Sequence, residues 1–153
     1  MSTVTISVQE ADFDLAQEYG QLRSVAPRCG AIVSFVGLVR DFNAQGDLDC
    51  IILEHYPAMT EKVLQDLVRR AQAKWPLGGV TIIHRVGQLH ASEQIVLVLV
   101  ASEHRAEAFE AAQYLMDFLK TEAPFWKREQ GSAGSQWVEA KGSDQRARER
   151  WER

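Results

Sequence analysis

Six basic side chains stand beside apolar or aromatic neighbours instead of in the usual charged runs. Arg40 ends the apolar stretch 30–39, and His104 and Arg105 follow the stretch 95–102. Lys120 comes four residues after Met116, while Lys127 and Arg128 follow Phe125 and Trp126. His104 and Arg105 fall where a strand gives way to a helix. The unpaired N–H groups of a helix start already favour an anion, so two cations there strengthen a phosphate site; the alternative is a pair of solvated junction residues. Lys120 either complements the end of its helix or, if half-buried, serves as base, nucleophile or partner of an acyl oxyanion. Lys127 can equally be a surface lysine beside core aromatics, and Arg40 a solvent-facing end to its strand. Taken together, the six describe a cationic pocket for a small phosphorylated molecule, reached by a strand end, a helix start, a helix end and a loop.

Other chemistries lack their signatures. His55, His84, His90 and His104 show neither HExxH spacing nor a CxxC companion, and no acidic pair has the spacing of a divalent-metal site, so no metal and no cofactor is expected. No GxSxG elbow is present, and the βα junctions carry neither GxGxxG nor GxxxxGK[ST]. Cys29 and Cys50 are far apart and suit two reduced thiols, each acting as a small buried hydrophobe.

The elements that must position the cations follow from periodicity. Residues 3–8 alternate Val4, Ile6 and Val8 with Thr3, Thr5 and Ser7, the pattern of a strand with one buried face. Residues 12–22 predict a short helix capped by Asp12. Residues 30–39 predict a strand running into a polar, flexible connection at 41–49, and 50–56 a returning strand broken by Pro57. An amphipathic helix is predicted over 60–75, strands over 80–86 and 95–102 with a turn at 89–93 between them, and a second long helix over 105–123 ended by Pro124. Residues 125–129 and 137–139 predict two short strands that pair. Strands interleaved with two long helices and closed by a late β ribbon indicate an α+β fold with a mixed or antiparallel sheet.

The chain has 153 residues, 46% of them hydrophobic, which suits one domain with a real core. We divide it into a domain over 1–141 and a charged tail over 142–153. The longest purely apolar stretch, 95–101, is far short of the roughly 20 residues a membrane helix needs. With no basic region followed by an apolar core at the start, a cytoplasmic protein is expected. The formal charge of −4 argues against a nucleic-acid coat. That charge resides in residues 1–22, where Glu10, Asp12, Asp14 and Glu18 meet no Lys or Arg; the rest is balanced, 17 acids against 17 bases.

Several longer segments carry a family resemblance: 35–40 (FVGLVR), 53–62 (LEHYPAMTEK), 75–78 (WPLG), 83–87 (IHRVG), 102–105 (SEHR), 116–129 (MDFLKTEAPFWKRE), 137–140 (WVEA) and 143–145 (SDQ). In these the chain resembles the large, catalytic subunit of molybdopterin synthase, in the right order over nearly the whole length. LEHYPAMTEK and the run through APFWKRE are the most specific.

The resemblance implies an α/β-hammerhead-like fold and a sulfurtransferase. Two sulfurs pass from the C-terminal thiocarboxylate of a small ubiquitin-like carrier subunit to cyclic pyranopterin monophosphate, forming the dithiolene of molybdopterin in molybdenum cofactor biosynthesis. It implies a homodimer at the centre of a heterotetramer with one carrier at each end. Carried over by position, Lys120 and Lys127 are catalytic, with Lys120 nearest the carrier's C-terminus. Leu38, Val39, Arg40, Lys120, Lys127, Arg128 and Glu129 contact substrate, and His104 and Arg105 are contributed across the dimer. Phe35, Met116 and Phe125 wall the tunnel for the carrier tail. Leu38 departs from the pattern, since some relatives carry lysine there; a main-chain contact survives that change. The rival reading is a noncatalytic dimeric module whose exposed strand edge binds a ubiquitin-like partner.

Overall fold

A computed structural model describes residues 3–26, 28–43, 46–123, 125–131, 134–138 and 142–152. The chain runs β1 (Thr3–Gln9), α1 (Leu15–Val25), β2 (Ala31–Leu38), β3 (Phe42–Asn43), β4 (Gly46–His55), α2 (Pro57–Lys74) and β5 (Leu77–Arg85). It continues through β6 (Gly87–His90), β7 (Gln94–Ser102), α3 (Arg105–Glu122), β8 (Phe125–Gly131), β9 (Gly134–Val138) and α4 (Gly142–Glu149), ending in a 3-10 turn at Arg150–Glu152.

Successive strand side chains leave on opposite faces, so an unbroken apolar run belongs to a strand covered on both. In β7, Val96, Val98 and Val100 pack under α2 and α3 with Leu64, Leu67, Ala111 and Leu115. Leu97, Leu99 and Ala101 face the other way, onto Phe13, Leu22 and Ala26 in and around α1. The sheet so sandwiched has the order β1-β5-β7-β2, with β1 parallel to β5 and β7 antiparallel to both its neighbours.

The second sheet is antiparallel and centred on β4, which pairs with β8 along one edge and β6 along the other. β9 pairs with β8, Arg128 facing Trp137, which forms the expected late ribbon. Gly87, at φ +87°, turns the chain out of β5 in the first sheet into β6 in the second, a conformation that disfavours any side chain. Val39, Ile51, Leu53, Val86 and Leu89 form a third apolar cluster, with Val8, Ile95 and Phe125 against it. This α+β architecture, with two long helices over a mixed sheet, matches the expected class.

The structure moves several boundaries. The α1 cap is Asp14, whose carboxylate accepts from Gln17 N–H at 3.1 Å. Asp12, the expected cap, instead accepts from the Phe13 N–H and the Gln94 amide, both at 2.8 Å, which ties it to β7 and keeps it outside the helix. α2 starts at Pro57, three residues earlier than expected, because proline's fixed φ and missing N–H suit a first helical position. Residues 41–49 are not merely a connection: Phe42 pairs with Asp47 and Asn43 with Gly46. Residues 87–90, in part expected as turn, form β6.

α4 and the 3-10 turn pack on α3. The Trp151 ring stands edge-on to Trp75 and Tyr114, at 5.8 and 5.5 Å, and its indole N–H donates to Asp117 at 2.6 Å. Arg148 bonds Glu122 at 3.0 Å. Cys50 is buried, Cys29 is partly so, and both are free thiols. No described helix is long and apolar enough to cross a membrane.

Candidate active site

Arg40 is placed by a relay of backbone bonds. The buried Arg85 guanidinium donates to the carbonyls of Glu10, at 3.1 and 3.0 Å, and Gln94, at 2.9 Å, and lies 3.5 Å from the Glu93 carboxylate. That fixes the turn at 92–94. The turn in turn grips Val39, whose N–H donates to the Glu93 carbonyl at 2.9 Å and whose carbonyl accepts from the Ser92 N–H at 2.9 Å. The Val39 side chain is 3% exposed and its N–H is engaged, so Val39 sets the position of Arg40. Leu38 and Arg40 on either side are exposed.

β8 supplies the next basic group. Its pairing sets Phe125 opposite His55, Lys127 opposite Leu53 and Glu129 opposite Ile51. Directly opposed residues share a face, so Lys127 and Glu129 lie on the side of the third apolar cluster, the one that includes Val39. Arg128 falls on the opposite face, with Ile52. The pleat thus divides three residues that are consecutive in sequence.

Lys120 occupies the last turn of α3 and is exposed instead of half-buried. Its ammonium lies near enough to act on His84, a buried residue of β5. The His84 ring stacks on Phe125 with centroids 3.9 Å and planes 17° apart, and His55 tilts against the same ring at 6.3 Å. Burial pushes the His84 imidazole down to about 4, with the charges of Lys120 and His55 adding to the effect, so it is neutral near pH 7. Lys120, His84, Phe125, Lys127 and the Val39–Arg40 strand end therefore form one neighbourhood. Met116, one turn before Lys120, is 8% exposed within the core under α3, and Phe35 is 40% exposed on the edge strand β2.

His104 and Arg105 are not in this neighbourhood. They cap and begin α3, so Arg105 and Lys120 are separated by about 22 Å at ~1.5 Å per residue. β7 gives the same result. Leu38 pairs with Gln94 and Ala31 with Ser102, so Arg40 leaves the sheet about 27 Å of strand from where α3 begins. The single pocket expected from all six cations does not close within one chain.

One histidine in an apolar strand usually is core, so the sequence alone does not bring His84 into this neighbourhood. The available signal was the polar pair His84–Arg85 interrupting an otherwise apolar strand. Among the described residues no cluster of His, Cys, Asp or Glu stands ready to hold a metal ion. A shallow groove between β1 and α2, lined by Val4, Ile6, Gln65, Val68, Arg69 and Gln72, includes none of these cations.

The family model described as MoaE protein matches residues 8–122. The molybdopterin synthase catalytic subunit of Ralstonia nicotianae is 53% identical over 147 residues, spanning 96% of this chain and 84% of that protein. That of Salmonella typhimurium is 48% identical over 151 residues, spanning 99% and 100%. Among solved structures, the molybdopterin biosynthesis MoaE protein from Burkholderia ambifaria superposes with a TM-score of 0.84 at 44% identity, covering 100% of this chain and 99% of its own. With the family model matching three quarters of its length and relatives near half identical along almost all of it, the chain belongs to the MoaE protein family, that of molybdopterin synthase catalytic subunits.

Proposed function

We propose that the chain is a sulfurtransferase, the catalytic subunit of molybdopterin synthase, which takes sulfur from the thiocarboxylate tail of a small ubiquitin-like carrier and places it on cyclic pyranopterin monophosphate. The observation that supports this reading is that Lys120 acts on His84, whose ring stacks on Phe125, two residues before Lys127 in a strand that joins the apolar cluster containing Val39, next to Arg40.

The chemistry asks for three things of these residues. A phosphate must be anchored, a thiocarboxylate must be held within bonding distance of the pterin side chain, and negative charge on the acyl group must be stabilised as sulfur leaves it. Arg40 anchors phosphate as a fork of fixed N–H donors. Lys120 stabilises the acyl oxygen as the new carbon–sulfur bond forms and water releases the carrier as carboxylate. Lys127, on the inward face of β8, assists in that charge stabilisation, with Glu129 two residues along the same face. Two carriers supply the two sulfurs. His104 and Arg105, some 22 Å from Lys120 along α3, complete the phosphate site of a second copy, which accounts for their place at the far end of the sheet.

The test is reconstitution. Purified chain, thiocarboxylated carrier and cyclic pyranopterin monophosphate should yield the fluorescent oxidised derivative of the dithiolene product. A chain that binds the carrier yet gives no product would be a docking module and not an enzyme.

A further inference from the structure

His84 is costly where it stands. β1 and β7 flank it through Val8 and Val96, Ile82 and Ile83 precede it in the strand, and burial suppresses its charge. An aliphatic side chain would fill the space without a polar group to satisfy. What imidazole adds is orientation. Its Nδ1–H donates to the Arg85 carbonyl at 2.8 Å, which fixes the ring plane and leaves the lone pair on Nε2. On that plane lies Phe125, with ring centroids at 3.9 Å, closer than the 4.5–7 Å common for aromatic pairs.

Phe125 is the first residue of β8, and its N–H donates to the Ala123 carbonyl at 2.8 Å just after α3 ends. Lys120 lies five residues before it and Lys127 two after. Whatever fixes the Phe125 ring therefore fixes the geometry between the two lysines. The titratable and charged groups around His84 are Lys120 from α3, His55 from β4 and its neighbour Arg85 in β5. With its imidazole uncharged, His84 adds no further positive charge beside the exposed Lys120.

We propose that His84 is the positioning residue of the sulfur-transfer site, setting through its stack on Phe125 the α3–β8 turn and hence the placement of Lys120 relative to Lys127. This rests on the sulfurtransferase reading above.

Two variants of the full chain, assayed with the carrier, test it. His84→Ala removes the stack and should lower kcat about tenfold while changing KM for the pterin substrate less than about twofold, since misplacing a reacting group by about 1 Å can cost up to a hundredfold. His84→Phe keeps a flat ring against Phe125 but loses the bond to the Arg85 carbonyl, and should recover kcat in part, to within about threefold of the parent. A folded His84→Ala chain with parental kcat, or a folded His84→Phe chain no better than the alanine variant, overturns the proposal. A readout independent of turnover is the methyl resonance of Lys120 after reductive ¹³C-methylation, assigned with Lys120→Arg. It should move in His84→Ala and return in His84→Phe; a resonance indifferent to His84 also overturns it. If the parent chain makes no product, the sulfurtransferase reading falls, and the lysine resonance alone decides whether His84 positions Lys120.

Discussion

Arg105 and Lys120 share one helix and stand about 22 Å apart along it, one in its first turn and one in its last. Both belong to the site proposed for sulfur transfer, so that site needs a second copy of the chain. Arg105→Ala and Lys120→Ala, each as a pure protein, should be nearly inactive. A dimer mixed from the two carries one doubly altered site and one intact site, and should show about half the parental turnover. Purifying the mixed species with two affinity tags and assaying it decides the point; a mixed dimer as inactive as its parents would place both residues in the same chain's site.

The pleat of β8 gives a contrast between adjacent residues. Lys127 lies on the face of the apolar cluster and Arg128 on the other, so Lys127→Ala should slow product formation at least about tenfold and Arg128→Ala by less than about threefold. Lys120→Ala should be the most severe, roughly a hundredfold or more, with carrier binding retained. Single-turnover formation of product, beside titration of the carrier, separates the three.

His84 also makes folding stability depend on pH. Its folded-state pKa is lowered from 6.5 to about 4, so between those values the unfolded chain binds a proton there that the folded chain does not. Stability from this group is complete above about pH 6.5 and is lost as pH falls toward 4, by up to about 3 kcal/mol. Asp12 and Glu93, whose carboxyls are lowered mainly by the Gln94 amide and the His90 N–H respectively, act in the same direction but begin at lower pH. Denaturant midpoints from pH 7 to 4 should therefore fall more steeply in the parent than in His84→Phe.

Arg85 bridges β1 and β7 by bonds to carbonyls, at a side chain only 8% exposed. Arg85→Met keeps much of the volume and strands those carbonyls, which should destabilise the fold by about 3 kcal/mol. The turn that holds Val39 loosens with it, so KM for the pterin substrate should rise more than kcat falls. Urea unfolding and steady-state kinetics measure the two effects.

Sequence patterning placed the strand at 95–102, and its seven apolar residues in a row fit the cover that the structure lays on both its faces. It also placed the two long helices and the ribbon that follows them. It misplaced the cap of α1, since Asp12 and Asp14 are chemically equivalent and only the contact to Gln94, 82 residues away, separates them. It started α2 late by treating Pro57 as a breaker when proline also opens helices. The cations were identified by type, yet their division between two ends of α3, and which of Lys127 and Arg128 faces the apolar cluster, depend on helix direction and strand register. Periodicity within a segment carries neither.

The parallel pairing of β1 with β5 has a consequence in time. Thr3 lies beside Gly79, which is added 76 residues later. At about 5–20 residues per second on the ribosome, Val4, Ile6 and Val8 wait roughly 4–15 s without their neighbour. β1 thus stands longer without a strand partner than β2, whose partners in β7 follow it by 56–71 residues, and while it waits it offers the nascent chain an apolar binding segment for a chaperone.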